Sequence, residues 1–240
     1  MVEHKAINGL DLSIVRVESP RVCYVLLPGG LMNDGAGFLE EAASRYQASM
    51  VVVSGMNWND DLTPWPADPV FKREKAFGGK AAGFLKILED DIMPETERFL
   101  GLLHHGPMPR QEQCPVERYL VGISLSGLFA LWSAHRSDLF AGIASISGSF
   151  WYPQFENWVL THYLSNAVRK VFISLGDREK DTRNRAMASV EVNTVSIVSH
   201  LRTAAADVDY RLEEGTTHFS PIIPRLDAAL DSILGSADSR

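Results

Sequence analysis

The sequence predicts an α/β protein: a mostly parallel central sheet flanked by helices. Three observations predict it. Short continuous apolar runs rich in β-branched residues, at 22–27, 50–53, 119–123 and 171–175, read as strands buried on both faces, as parallel-sheet strands do. Stretches with helical apolar spacing lie between them, so each strand can rejoin the sheet by a crossover. Finally, loops rich in glycine, serine and acidic residues leave the carboxyl ends of these runs, the edge where open α/β sheets place their sites.

Bulk properties set the bounds. The 240 residues suit a single domain over 1–240 with a sizeable core and no large lid. With 45% hydrophobic and 22% charged residues the chain reads as a soluble globule and not as a disordered one. A net charge of −7 repels nucleic acid and anionic membrane surfaces, so neither is an expected partner. The start at Met1 leads into no secretory-type apolar run and no stretch is long enough to span a bilayer, so a cytoplasmic location is expected. Two cysteines, Cys23 in a strand and Cys114 in a proline-rich loop, form no disulfide framework and are expected to stay reduced.

In chain order, Leu12 to Val17 reads as the opening strand and Val22 to Leu27 as a buried one. The loop from Pro28 to Gly35 follows, and its glycines allow backbone N–H groups to point into a cleft and stabilise an oxyanion. A helix is expected over Phe38 to Tyr46 and a strand over Met50 to Val53. The next loop, Gly55 to Ala67, carries Trp58, Pro64, Trp65 and Pro66, stiff bulky residues suited to walling a pocket. Lys72, Arg73, Lys75 and Lys80 could attract an anion, although a short charge run reads first as a solvated face. Ala81, Leu85, Leu88, Ile92, Phe99 and Leu102 mark an amphipathic helix that Pro94 must kink or restart. His104 and His105 are adjacent and lack the one-face spacing of metal-ligand pairs, so no metal site is expected.

The segment from Tyr119 to Leu131 organises the rest: an apolar strand breaks at small residues and continues as a helix. This is the pattern of a nucleophile elbow centred on Ser124, where the residues two before and two after must be small. Gly122 and Ser126 meet that demand, although the usual second residue is glycine. Ser126 fits less well as nucleophile, because Leu128 would then occupy the crowded position. A plain helix-capping role for these serines is the bland alternative. Beyond it come a strand at 142–147 and the aromatics Phe150, Trp151 and Tyr152. The strand Val171 to Leu175 then runs into a loop holding Asp177, Glu179 and Asp181. A helix with Met187, Val190, Ile197 and Leu201 on one face leads to an edge strand at Val208 to Leu212. His218 stands between that strand and a closing helix with Ile222, Leu226, Leu230 and Ile233 on one face.

A serine hydroxyl needs a base to take its proton, and the base needs an acid to hold its tautomer. Serine, acidic loop and histidine occur here in the order imposed by the α/β-hydrolase topology, each in a loop just after a strand. Ser124 is therefore the expected nucleophile and His218 the expected base. The residues alone leave the acid open among Asp177, Glu179 and Asp181.

In Thr63-Pro-Trp-Pro-Ala67, Phe77-Gly-Gly79, Gly122-Ile-Ser-Leu-Ser-Gly127, Gly148-Ser-Phe-Trp151, Gly176-Asp-Arg-Glu179 and Thr217-His218, the chain resembles the putative esterases of the α/β-hydrolase superfamily. These include esterase D-like and enterochelin esterase-like hydrolases. The resemblance, from about Val22 onward, implies an α/β-hydrolase fold, a Ser-His-acid site and no cofactor. It ranks Glu179 above Asp177, because relatives often carry the acid three residues after the glycine that ends the strand. Elbow geometry makes the Leu125 amide the first oxyanion donor; the second lies among Gly29, Gly30 and Leu31, with Leu31 chosen by position. Proline stands at Pro28 where many relatives carry histidine.

The expected activity is hydrolysis of a small-molecule carboxylic ester through an acyl-serine, with Trp58, Trp65 and Trp151 lining the substrate pocket. Two alternatives remain: a siderophore-ester hydrolase of enterochelin type, and a non-catalytic binding protein that keeps the fold. Self-association as a homo-oligomer stays open.

Overall fold

A computed structural model describes residues 1–29, 35–103, 115–203 and 206–235. Its strands are β1 (Val2–Ile7), β2 (Leu10–Val15), β3 (Arg21–Leu26), β4 (Ser49–Ser54), the two-residue β5 (Pro66–Ala67) and β6 (Phe77–Gly78), β7 (Glu117–Ile123), β8 (Phe140–Ile146), β9 (Lys170–Gly176) and β10 (Asp207–Glu213). Eight of them form one sheet in the order β1-β2-β4-β3-β7-β8-β9-β10, while β5 and β6 pair with each other. β2 pairs antiparallel with both of its neighbours, β1 and β4; from β4 onward every pairing is parallel. This is the α/β-hydrolase fold that the sequence predicts.

The central strands look uniformly apolar because the sheet is covered on both faces. Along β3, Val22, Tyr24 and Leu26 enter one core while Cys23, Val25 and the following Leu27 enter the other. The second core is closed by α1 (Ala36–Tyr46) and by the last helix (222–234). The first is closed by helices on the opposite face. These are α2 (Trp58–Asp61), α3 (Ala81–Ile87), α4 (Met93–Phe99), α5 (Leu125–Ser133) and α6 (Phe155–Thr161). After α7 (Arg185–Ala188), α8 (Val190–Leu201) completes that face, and α9 (Ile222–Leu234) ends the described chain.

Several elements differ from expectation. β1 was missing from the sequence reading: its middle residues are exposed, so it lacks the apolar run, yet Asn8 and Gly9 both adopt positive φ in a two-residue hairpin loop. β2 starts and ends two residues earlier than expected. Pro94 restarts the helix, one of the two outcomes expected: it sits in the first turn of α4, and the unexpected part is the single π-helical turn before it, Leu88–Ile92. The helix expected from Met187 onward is two helices, with the Asn184 side chain capping α7. α6 was not anticipated at all, being only seven residues long within an aromatic-rich loop.

His104, His105 and Cys114 lie outside the described residues, whereas Cys23 is fully buried and burial pushes its thiol up to about 12. Among the described residues no helix is long and apolar enough to cross a membrane, and no cluster of His, Cys, Asp or Glu is arranged to hold a metal ion.

Candidate active site

β7 ends at Ile123 and α5 begins at Leu125, so Ser124 alone makes the turn, at φ 58° and ψ −121°. Such a conformation is costly for an L-residue and persists only where its surroundings enforce it. The enforcement is visible. The Ser124 amide donates to Ile146 O on β8 at 3.0 Å. A Cβ at Gly122 would lie 2.1 Å from Ser126 O, so no larger residue fits there. Ser126 is fully buried, and its Oγ lies 2.8 Å from Ile123 N, Ile123 O and Leu26 O. The serine that replaces the customary glycine thus ties the end of β3 to the elbow.

His218 lies in the loop between β10 and α9, in a turn closed by reciprocal bonds between Thr217 and Ser220. Its Nε2 is 3.1 Å from Ser124 Oγ and its Nδ1 is 2.8 Å from Glu179 Oε2. An ionised carboxylate can only accept, so Nδ1 carries the proton and Nε2 is free to accept the serine hydroxyl. Glu179 reaches this position because its amide bonds back to Gly176 O at 3.1 Å, turning the third residue of the loop toward the sheet edge. Its side chain is 4% exposed. Burial alone would push its carboxyl up. Hydrogen bonds from His218, from Ser147 Oγ and from the Gly176 amide at 2.8 Å outweigh burial and hold the carboxyl below its ordinary value.

The alternative acid, Asp177, is not brought to His218. Its amide donates to Glu213 O at 3.1 Å and one of its carboxylate oxygens is buried without a hydrogen-bond partner, because the Gly176 turn presents Glu179 instead. Asp181 pairs with Arg178 in a largely exposed ion pair.

Residues 36–233 match the family described as Putative esterase. The chain belongs to this esterase family. Over 171 residues it is 30% identical to the uncharacterized protein YbbA of Bacillus subtilis (strain 168), covering 68% of this chain and 65% of that protein. The chain thus matches slightly less than two thirds of that relative's length. Among solved structures it is similar to the IroE-like serine hydrolase from Shewanella oneidensis, with TM-score 0.72 and 17% identity over 98% of this chain and 79% of that one. It is also similar to the siderophore hydrolase EstB from Aspergillus nidulans, with TM-score 0.70 and 14% identity over 100% of this chain and 96% of that one. At such identities the shared property is the fold.

In this esterase-family member a cleft of about 390 Å³ opens on Ser124 and His218. Pro28, Trp58, Ile123, Phe219, Pro221 and Ile222 give it an apolar lining. Of the three tryptophans expected there, only Trp58 is among its lining residues. Trp65 packs instead against Tyr152, Phe155 and Trp158, with its Nε1 donating to Pro153 O at 3.0 Å. Trp151 packs against Phe77 and Tyr152. Both rings belong to the aromatic cluster beside α6 and stand outside the residues that line this cleft. Leu125 heads α5, where first-turn amides have no intrahelical acceptor. Gly30 and Leu31, the latter the expected second donor, lie outside the described residues, and Gly29 is the last described residue of that loop.

Sequence reasoning missed several neighbours of Ser124, His218 and Glu179. Ser149 donates its amide to Ser124 O at 3.0 Å, and its hydroxyl is 3.4 Å from Ser124 Oγ. Ser147 touches Glu179, and Arg225 touches Ser147. Phe219 is 93% exposed beside His218; its place in the histidine loop was the available signal.

Proposed function

We propose that the chain is a serine esterase that cleaves a small-molecule carboxylic ester through an acyl-serine intermediate. The observation that carries this reading is the unbroken hydrogen-bonded relay from Ser124 Oγ through His218 to Glu179, with Ser124 held at positive φ above the first turn of α5.

Ser124 Oγ attacks the ester carbonyl while its proton passes to His218 Nε2. The carbonyl π electrons move to oxygen, where the Leu125 amide and a donor from the loop after β3 hold the oxyanion. Collapse breaks the bond to the alcohol oxygen, which leaves with the proton from His218. Water then gives a proton to His218 and attacks the acyl carbon. A second collapse releases the carboxylic acid and restores Ser124. Throughout, Glu179 holds the imidazole orientation and stabilises its charged form. No step calls for a cofactor.

The apolar lining of the cleft favours an ester with an apolar acyl or alcohol group. No lysine or arginine is among the described residues that line the cleft, which disfavours a strongly anionic ferric catecholate. Siderophore-ester hydrolysis, suggested by the fold shared with the siderophore hydrolase EstB, is accordingly the second reading. The test is labelling with a fluorophosphonate and hydrolysis of short p-nitrophenyl esters by wild type and Ser124→Ala. Labelling at Ser124, and a fall in turnover of about 10³-fold or more in the variant, are expected. A folded wild type that neither labels nor turns over would sink the esterase reading in favour of a binding protein.

A further inference from the structure

Arg225 is an arginine in an unusual place. It lies on α9 with its side chain only 6% exposed, and a guanidinium so buried requires partners. All three partners belong to the surroundings of the triad. Nη2 donates to Ser147 Oγ at 2.6 Å and lies 3.6 Å from Glu179 Oε1, while Nε forms an ion pair with Glu213 at the end of β10. Ser147 in turn donates its own proton to Glu179 Oε1. That serine follows β8 at φ 48°, in the left-handed region, anchored by its amide to Ser174 O at 2.8 Å.

The charges of this set matter for the chemistry. Two carboxylates, the buried Glu179 and the partly buried Glu213, face one guanidinium, leaving one negative charge while His218 is neutral. When His218 takes the serine proton, the set becomes neutral. Were Glu213 uncharged, the Arg225 cation would compete with the imidazolium for Glu179. Were Arg225 uncharged, Glu179 would lose both its orienting bond through Ser147 and a neighbouring cation. The remaining charged neighbours act less directly. Asp177 shares the Glu179 loop and meets Glu213 through its backbone, Arg178 and Asp181 pair with each other near the surface, and Glu214 is exposed. α5 and β8 present Ser124 and Ser147 to the set.

We infer that Arg225 and Glu213 are positioning residues for the triad: Arg225 fixes Glu179 through Ser147, and Glu213 offsets the Arg225 charge so that Glu179 keeps its hold on His218. This inference rests on the serine-esterase reading. It also explains why the helix after the histidine loop carries a buried cation, since Arg225 joins the strand ends and loops that supply acid and base.

The experiment is the pH profile of kcat/KM for p-nitrophenyl acetate in wild type, R225M, R225K and E213Q, with thermal melts alongside. Loss of the cation favours the imidazolium, so in R225M the acid limb moves to higher pH by at least about half a unit. The plateau falls roughly ten- to hundredfold. Loss of the Glu213 charge disfavours the imidazolium, so in E213Q the limb moves to lower pH. R225K, which keeps the charge, holds the limb near wild type. A purely structural role predicts losses of rate and melting temperature with no opposite shifts, and that result overturns the inference. If R225M does not fold, E213Q decides alone, and a stationary limb there overturns it. A wild type that neither labels with fluorophosphonate nor turns over removes the esterase reading and this inference together; an active wild type with unmoved limbs in the variants removes only this one.

Discussion

Ser126 occupies the one elbow position where the sequence departs from the common glycine, and replacing it by alanine isolates what its hydroxyl contributes. The Oγ accepts from the Ile123 amide at 2.8 Å and donates toward Leu26 O or Ile123 O, each at 2.8 Å, in a fully buried setting. Alanine keeps the Cβ, so no backbone freedom is gained. A typical buried hydrogen bond contributes about 1 kcal/mol net, and a buried donor left without a partner costs about 1–3 kcal/mol. Losing the Ile123 bond and one carbonyl bond should therefore cost about 2–3 kcal/mol. For a chain of this size that corresponds to a fall in Tm of roughly 5–10 °C. Thermal melting and urea unfolding at constant m are the assays. Ser126→Gly, which restores the common motif, should be no better than alanine, because it loses the same bonds and gains unfolded-state entropy. A glycine variant more stable than wild type, or an alanine variant melting within about 2 °C of it, refutes the claim that this hydroxyl braces the elbow.

Two further predictions follow from the site. Because Glu179 has a folded-state pKa below its ordinary value, its ionised contacts stabilise the fold above the ordinary carboxylate range, and that stability is lost as pH falls through the lower folded value. The melting-temperature advantage of wild type over Glu179→Gln should thus be full at neutral pH and shrink below about pH 5; an advantage that stays constant down to pH about 3 contradicts it. Phe219 is exposed and lines the cleft, so Phe219→Ala should leave stability within about 0.5 kcal/mol. It should reduce kcat/KM for long or aryl esters about three- to tenfold more than for acetates, the worth of partly burying the ring against substrate. Equal losses on both substrate classes would exclude a substrate contact.

The fold was legible wherever a strand is buried on both faces. Runs such as 22–27 and 171–175 are apolar because two cores draw on alternate residues, and that leaves a one-dimensional trace. β1 left none, since one antiparallel contact suffices to hold it; only its Asn8-Gly9 loop announced it. Ser124, the acidic loop and His218 each follow a strand, so chain order narrows the candidates; among Asp177, Glu179 and Asp181 it is the family resemblance that ranks Glu179 first. For Trp65 and Trp151, loop position says that an aromatic is near the sheet edge, but not whether it lines the cleft or packs in the aromatic cluster beside it. His135 illustrates the same limit. It is held against Trp158, and burial pushes its pKa down to about 4, a packing role that its residue type does not disclose.

What remained hidden was which backbones meet. Gly122 and Gly176 both read as strand-end glycines. In space each admits a carbonyl from another stretch of chain: an added Cβ would lie 2.1 Å from Ser126 O at the first and 2.2 Å from Thr216 O at the second. The first contact closes the elbow that raises Ser124. The second presses the loop after β9 against the loop after β10, two residues before His218, and so brings acid and base together. The absence of a side chain at two positions therefore determines the spacing of Ser124, Glu179 and His218 as much as those three side chains do. Arg225 and Ser147 then lock that spacing from behind, through contacts spanning 78 residues of sequence that no periodicity could reveal.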